Sequence, residues 1–252
     1  MGSSSRSCWP VGRGGGACAG AGAGGGGGGA ADGGAKPPPC PWSGPGTGPI
    51  GRLVDSVASK LAFYPPTPPS YAVRPHADGS GQLYIAPLER GYPRVPSARV
   101  EWVDVPRRRE GGGGTRVLTS FLPYRDARGR PARATLLHSH GNAVDLGQMM
   151  PIYRDLSRLL RVNILAYDYT GYGPDPSGVA SVSNALADVA AVFDFMRERY
   201  GVRAEDTVLY GQSVGSGPTC WLAVQQPCVA GVVLHSPLFS GSRLFPDEYQ
   251  AR

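Results

Sequence analysis

From residue 100 onward the chain switches repeatedly between two apolar periods. Val100 to Val105 and Val117 to Leu122 alternate and are rich in β-formers, the pattern of half-buried strands. Gly111 to Gly114 lie between them, so the pair reads as an antiparallel hairpin at the edge of a sheet. Ala134 to His138 is the next strand signal, and a helix is expected over 144–160. Val162 to Tyr167 reads as a strand, and 185–200 as a helix with Leu186, Val189, Val192, Phe193 and Met196 on one face. A strand ending at Tyr210, an apolar helical run over Cys220 to Val224, and a last strand from Val229 to Leu234 complete the series. Strands alternating with helices predict an α/β fold, a mostly parallel sheet with helices on both faces and ligands at the carboxyl ends of its strands.

Upstream the pattern weakens. Residues 1–50 form a tail rich in Gly and Pro, including an unbroken glycine run from Gly24 to Gly29. Such a segment buries too little apolar surface to offset chain entropy, so disorder is expected. Over 51–99 an entry helix is expected from the spacing of Leu53, Val54, Val57, Leu61 and Phe63, followed by an extended proline-rich arm, Tyr64 to Tyr71. The remaining unit spans 100–252.

The candidate chemistry sits where the strand at Val208 to Tyr210 runs into Gly211-Gln212-Ser213-Val214-Gly215. This is G-x-S-x-G, the spacing of a nucleophile elbow. The serine has to stand on a tight strand-to-helix turn with its Oγ exposed. Gly211 and Gly215 have no Cβ, so strand and helix can close around it. The N–H of Val214 then lies at a helix N-terminus, where it can bind an oxyanion. His140-Gly141-Asn142 ends a neighbouring strand, which makes the N–H of Asn142 the second candidate donor. With 38 glycines in the chain the motif alone is weak, and its flanking strand and helix carry the argument.

Composition narrows the classes. The net charge is +6, with arginines scattered through loops and no basic stripe interleaved with aromatics, so nucleic acid is not the expected partner. Five cysteines without a C-x-x-C indicate neither a disulfide framework nor a metal site, and a reducing, cytoplasmic setting fits. No apolar run is long enough to span a membrane. Acylation of Cys8, Cys18 or Cys40 would tether the tail to a membrane; inert cysteines are the competing reading. Glycine richness argues against a plastid transit peptide. No cofactor is expected.

The segments HSHGNAVDLGQM, YDYTGYG, LYGQSVGSGPT and VVLHSPL, in this order, resemble the α/β-hydrolase domain-containing protein 17 family, and Lys60 to Pro66 resembles its entry segment. The resemblance implies an α/β-hydrolase fold and a serine hydrolase that removes palmitate from protein cysteines, with S-acylated proteins as substrates and peripheral membrane association. It implies Ser213 as nucleophile and the N–H groups of Asn142 and Val214 as the oxyanion hole. It makes Asp168 a loop organiser. Three dispersed cysteines replace the family's N-terminal cluster, and Pro174-Asp175-Pro176 stands where the family runs through serines. The family carries its acid and histidine on loops beyond the last strand read here. The expectation is therefore a C-terminally truncated hydrolase, with strands and a helix missing. His235 is the sole histidine downstream of Ser213 and the candidate for a weak base, although a structural histidine of the LHSP turn is the weightier reading. A non-catalytic module that binds acylated tails or a partner protein is the second functional reading.

Overall fold

Side chains that alternate along the central strands feed two separate cores, and this fixes the layering. The computed structural model describes residues 63–88, 90–106, 114–175 and 178–238. Their strands are β1 (Tyr71–Pro75), β2 (Leu83–Pro87), β3 (Arg99–Val105), β4 (Thr115–Leu122), β5 (Thr135–Ser139), β6 (Asn163–Tyr167), β7 (Thr207–Gln212) and β8 (Gly231–His235). The helices are α1 (Leu146–Leu160), α2 (Val182–Tyr200) and α3 (Ser216–Gln225). On β4, Val117 and Phe121 point into the core beneath α2 and α3, whereas Leu118 and Leu122 point into the core beneath α1. On β6, Leu165 and Tyr167 face the first core and Ile164 and Ala166 the second. Both faces being apolar, these strands need helices on both sides, and each buried Leu, Ile or Phe contributes about 1.5–3 kcal/mol.

The strands form one sheet in the order β1-β2-β3-β4-β6-β5-β7-β8. Neighbours from β1 through β4 to β6 are antiparallel, and β6, β5, β7 and β8 run parallel. This is the α/β-hydrolase arrangement, and the carboxyl ends of β5, β6 and β7 lie side by side.

Two expectations are corrected. The β3–β4 hairpin is interior, because β1 and β2 pair outside it. Two strands come from the stretch after the expected arm, where no element was expected; β1 takes in only Tyr71 of the arm, and β2 pairs with β3, so residue 100 marks no break in the sheet. The signal was weak because β1 and β2 have five residues each and both end in proline. The expected entry helix lies outside the described residues up to its last member, Phe63, which is buried. The expected disordered tail lies outside them altogether. Val232, Val233 and Leu234 of β8 are 43%, 41% and 41% exposed. Cys220 is free and exposed.

The loop after β6 is tied to α2 by one carboxylate. Asp188 is fully buried and accepts bonds from Thr170 N (2.8 Å) and Thr170 Oγ1 (2.7 Å). Burial pushes its pKa up to about 7, against the two bonds, which lower it. A carboxyl raised in the folded state binds more protons folded than unfolded. Its contribution is fully present below the ordinary carboxylate range and is lost as pH rises toward 7. Asp188→Asn keeps the shape and removes the titration. Urea unfolding should show the wild type losing on the order of 2 kcal/mol relative to Asp188→Asn between pH 5 and pH 8. Parallel pH profiles for the two proteins would contradict this.

Candidate active site

Ser213 has φ +51°, in the left-handed region that costs a residue with a Cβ about 1–2 kcal/mol. The strain has a visible cause. Strand β7 ends at Gln212, a single 3₁₀ turn spans Ser213–Gly215, and α3 starts at Ser216. The chain reverses there within a few residues. A Cβ on Gly211 would lie 2.6 Å from Thr219 Oγ1 and 2.8 Å from Ser216 Cα. One on Gly215 would lie 2.7 Å from the His140 carbonyl oxygen and closer still to that of Ser139. Both glycines are therefore demanded by contact between the turn, its own helix and the end of β5. Ser216 Oγ donates to the Ser213 carbonyl (2.6 Å) and accepts from Leu238 N (3.1 Å), which ties the segment after β8 to the turn.

Strands β5 and β7 are parallel neighbours with Ser139 level with Gly211. The His140-Gly141-Asn142 segment consequently emerges beside the Ser213 turn. A Cβ on Gly141 would sit 3.6 Å from the Gln212 side chain, an ordinary contact that shows how near the two segments run. The Asn142 side-chain carbonyl is heavily engaged: its Oδ1 accepts from Tyr64 N (2.7 Å), Tyr172 Oη (2.8 Å) and Ala143 N (2.9 Å). Ala143 also adopts a left-handed backbone, φ +56°. These bonds hold the loop in one conformation and fix where its main-chain N–H groups point.

Beneath the loop is a set of buried polar groups that sequence reasoning touched only at Asp168. The Asp168 Oδ1 accepts from Leu146 N at the start of α1 (2.9 Å), and Oδ2 accepts from Tyr71 Oη (2.5 Å). His140 Nε2 is 3.3 Å from Asp168 Oδ1, near enough for electrostatic attraction but not aligned as a hydrogen bond. Burial raises the Asp168 pKa, while His140 and Tyr71 pull it back. Burial, followed by the Asp168 charge, raises the Tyr71 phenol well above its usual range. Asp145 caps α1 through Gln148 N (3.2 Å) and also holds Ser70 N (2.8 Å) and Ser70 Oγ. Tyr169 Oη donates to the His140 carbonyl (2.7 Å), and Phe63 packs edge-on against Tyr169 and Tyr172. Isolated polar residues without a spacing rule gave no signal in the sequence; the clue available was the density of Tyr and Asp around YDYTGYG.

The histidines are occupied elsewhere. His235 shares a hydrogen bond between its Nδ1 and Tyr210 Oη (3.1 Å), at the end of β8. His138 is buried, stacked on Tyr210 and bonded to Tyr153 Oη (3.2 Å); burial, with His140 and His235 adding to it, lowers its pKa to about 3 and keeps it neutral. His76 lies beside Arg94 and Tyr84. Among the described residues no hydrogen bond joins a histidine to Ser213. The structure thus brings Ser213, Val214, Gly211, Gly215 and Asn142 together and gives His235 a structural partner. No His, Cys, Asp and Glu group with metal-holding geometry occurs among the described residues.

The chain matches the family model for serine aminopeptidase, S33, over residues 130–251. It is 41% identical over 227 residues to α/β-hydrolase domain-containing protein 17C of Xenopus laevis, covering 83% of this chain and 66% of that protein. It is 39% identical over 220 residues to the 17B protein of Homo sapiens, with the same coverage of each. With the 17C protein of Mus musculus it shares 53% identity over 117 residues, 46% of this chain and 36% of that one. Among solved structures it is similar to an α/β serine hydrolase without lid from Xanthomonas campestris, with TM-score 0.44 and 14% identity over 57% of this chain and 62% of that one. The chain spans 66% of the length of the curated relatives named first.

Strain held for a purpose can be released. Ser213→Gly removes the Cβ that makes the left-handed turn costly, whereas Ser213→Ala keeps it. Denaturant unfolding should find Ser213→Gly more stable than Ser213→Ala by about 0.5–1 kcal/mol. Equal or reversed stabilities would mean that the turn is relaxed.

Proposed function

The chain belongs to the α/β-hydrolase domain-containing protein 17 family, and from that premise we propose that it is built as a serine hydrolase acting on S-acylated proteins. The observation that carries this reading is the left-handed Ser213 wedged between Gly211 and Gly215 at the carboxyl end of β7. A strained serine projecting from such a turn is the arrangement that exposes a nucleophile. Ser213 Oγ attacks the acyl carbonyl carbon of the thioester. The carbonyl oxygen becomes an oxyanion that receives the N–H groups of Asn142 and Val214. The intermediate collapses, the cysteine thiolate of the substrate leaves and takes a proton, and water then releases the fatty acid from the serine. The bonds to Asn142 Oδ1 support the loop role, because a donor is effective only where it is already aimed.

The proton on Ser213 needs an acceptor. His235 was the candidate within this chain, and its bond to Tyr210 favours the structural reading. That observation also supports the second reading, a module that holds acylated tails without cleaving them. The site takes no metal or cofactor in this mechanism. Membrane association would come from acylation of Cys8, Cys18 or Cys40. Among the described residues no helix is long and apolar enough to cross a membrane.

A fluorophosphonate probe should label the protein at Ser213 and nowhere else, with Ser213→Ala abolishing labelling. The rate should be slow, at least about tenfold below that of a relative whose serine is bonded to a histidine, because among the described residues no hydrogen bond joins a histidine to Ser213. His235→Ala should leave the rate unchanged. Absence of labelling on a folded protein would reject the hydrolase reading in favour of the binding one. Loss of labelling in His235→Ala would reinstate His235 as the base.

A further inference from the structure

A second concave site lies at the opposite end of the sheet. Its lining includes Ala132 and Arg133 just before β5, Asn163 at the start of β6, and Arg203 and Asp206 just before β7. Ser213 and Asn142 lie past the other ends of these strands. The cavity measures about 440 Å³, within the range of small-molecule sites, roughly 300–1,000 Å³.

Its lining is strongly cationic. Arg99, Arg125, Arg133, Arg199 and Arg203 face it, against the single carboxylate of Asp206. That carboxylate is shared: Arg133 Nε reaches Oδ1 at 2.6 Å and Arg203 Nε reaches Oδ2 at 2.7 Å. Behind the wall, Glu101 pairs with Arg199 (2.9 Å) and accepts from Tyr200 Oη (2.6 Å). Five guanidiniums therefore meet two carboxylates. Arg125 donates to the neutral Gly129 carbonyl (2.8 Å), and Arg99 has no ion pair among the described residues. The floor is aromatic and stiff, with Phe121 stacked on Tyr200 at 4.0 Å between centroids.

We propose that this basin is a binding site for a ligand carrying clustered phosphate groups, separate from the Ser213 site. Planar guanidiniums suit phosphate oxygens because each can donate two parallel hydrogen bonds. Like charges gathered round one concavity repel one another, and an anion bound among them relieves that repulsion. A single phosphate can meet only some of five guanidiniums, which favours a ligand with two or three phosphates. The same chemistry is presented by a soluble polyphosphate and by a phosphorylated inositol lipid headgroup. In the lipid case the bilayer would meet the face remote from Ser213.

Arg99 and Arg125 are the variants of choice, because neither substitution strands a carboxylate. Calorimetric titration of the full chain with tripolyphosphate should show saturable binding, at least about tenfold tighter than inorganic phosphate, weakening as salt rises. The Arg99→Gln/Arg125→Gln protein should keep the wild-type melting temperature and lose at least about tenfold in affinity. Arg99→Lys/Arg125→Lys should fall between the two. Flotation with phosphatidylcholine vesicles, with and without phosphatidylinositol bisphosphate, separates the sources: recruitment only by the phosphorylated lipid, lost in the Gln variant, assigns the headgroup, and tripolyphosphate binding without recruitment assigns a soluble ligand. No saturable binding of either probe, or equal binding by the Gln variant, overturns the proposal.

Discussion

One buried carboxylate holds together the parts of this fold that matter for chemistry. Asp168 directly follows β6, and from there it reaches the first turn of α1 through Leu146 N and the entry strand β1 through Tyr71 Oη, with His140, just past β5, beside it. A carboxylate with so little water around it has to be compensated, and the groups compensating it become fixed in turn. The positive end of the α1 dipole adds to that compensation. Around Asp168 the same logic repeats: Asp145 pins Ser70 to the α1 cap, and Asp188 pins Thr170 to α2. Three carboxylates thus knit the loops at the carboxyl ends of the strands, where a parallel sheet leaves its backbone ends unpaired and its ligands bind.

The site inherits its stiffness from this layer. The HGN loop is held from below by His140 near Asp168, from the side by Tyr169 on the His140 carbonyl, and from above by Tyr64 and Tyr172 on Asn142. Among the described residues the serine turn has one side-chain tie of this kind, Ser216 Oγ on the Ser213 carbonyl. Its geometry is imposed sterically, by glycines that bring it against β5 and α3. Preorganised donors on one side and a strained serine on the other are two solutions to one problem, which is to keep groups in place that would relax if left free.

The parts legible in the sequence were those with a period or a spacing rule. The β4 residues Val117 to Leu122 are rich in β-formers because successive side chains feed two cores, and Gly211, Ser213 and Gly215 follow the steric demands of one turn. Strands β1 and β2 escaped because prolines bound them and five residues carry little periodic signal. The polar layer was mostly illegible: Ser70 and Asp145 are far apart in sequence and meet only after β1 has joined the sheet and α1 has begun. His235 was ambiguous for the same reason, since its partner Tyr210 lies on the neighbouring strand and is brought diagonally beside it only by the β7–β8 register, which sets His235 level with Gln212.

The central claim, that Asp168 couples the entry strand to the site layer, is tested most directly by a double-mutant cycle on Tyr71 and Asp168. Urea unfolding would be measured for the wild type, Tyr71→Phe, Asp168→Asn and the double variant. The account predicts a coupling energy of about 1.5 kcal/mol or more, because either single change leaves a buried polar partner unsatisfied and the second adds little. Additive effects, with coupling under about 0.3 kcal/mol, would contradict it.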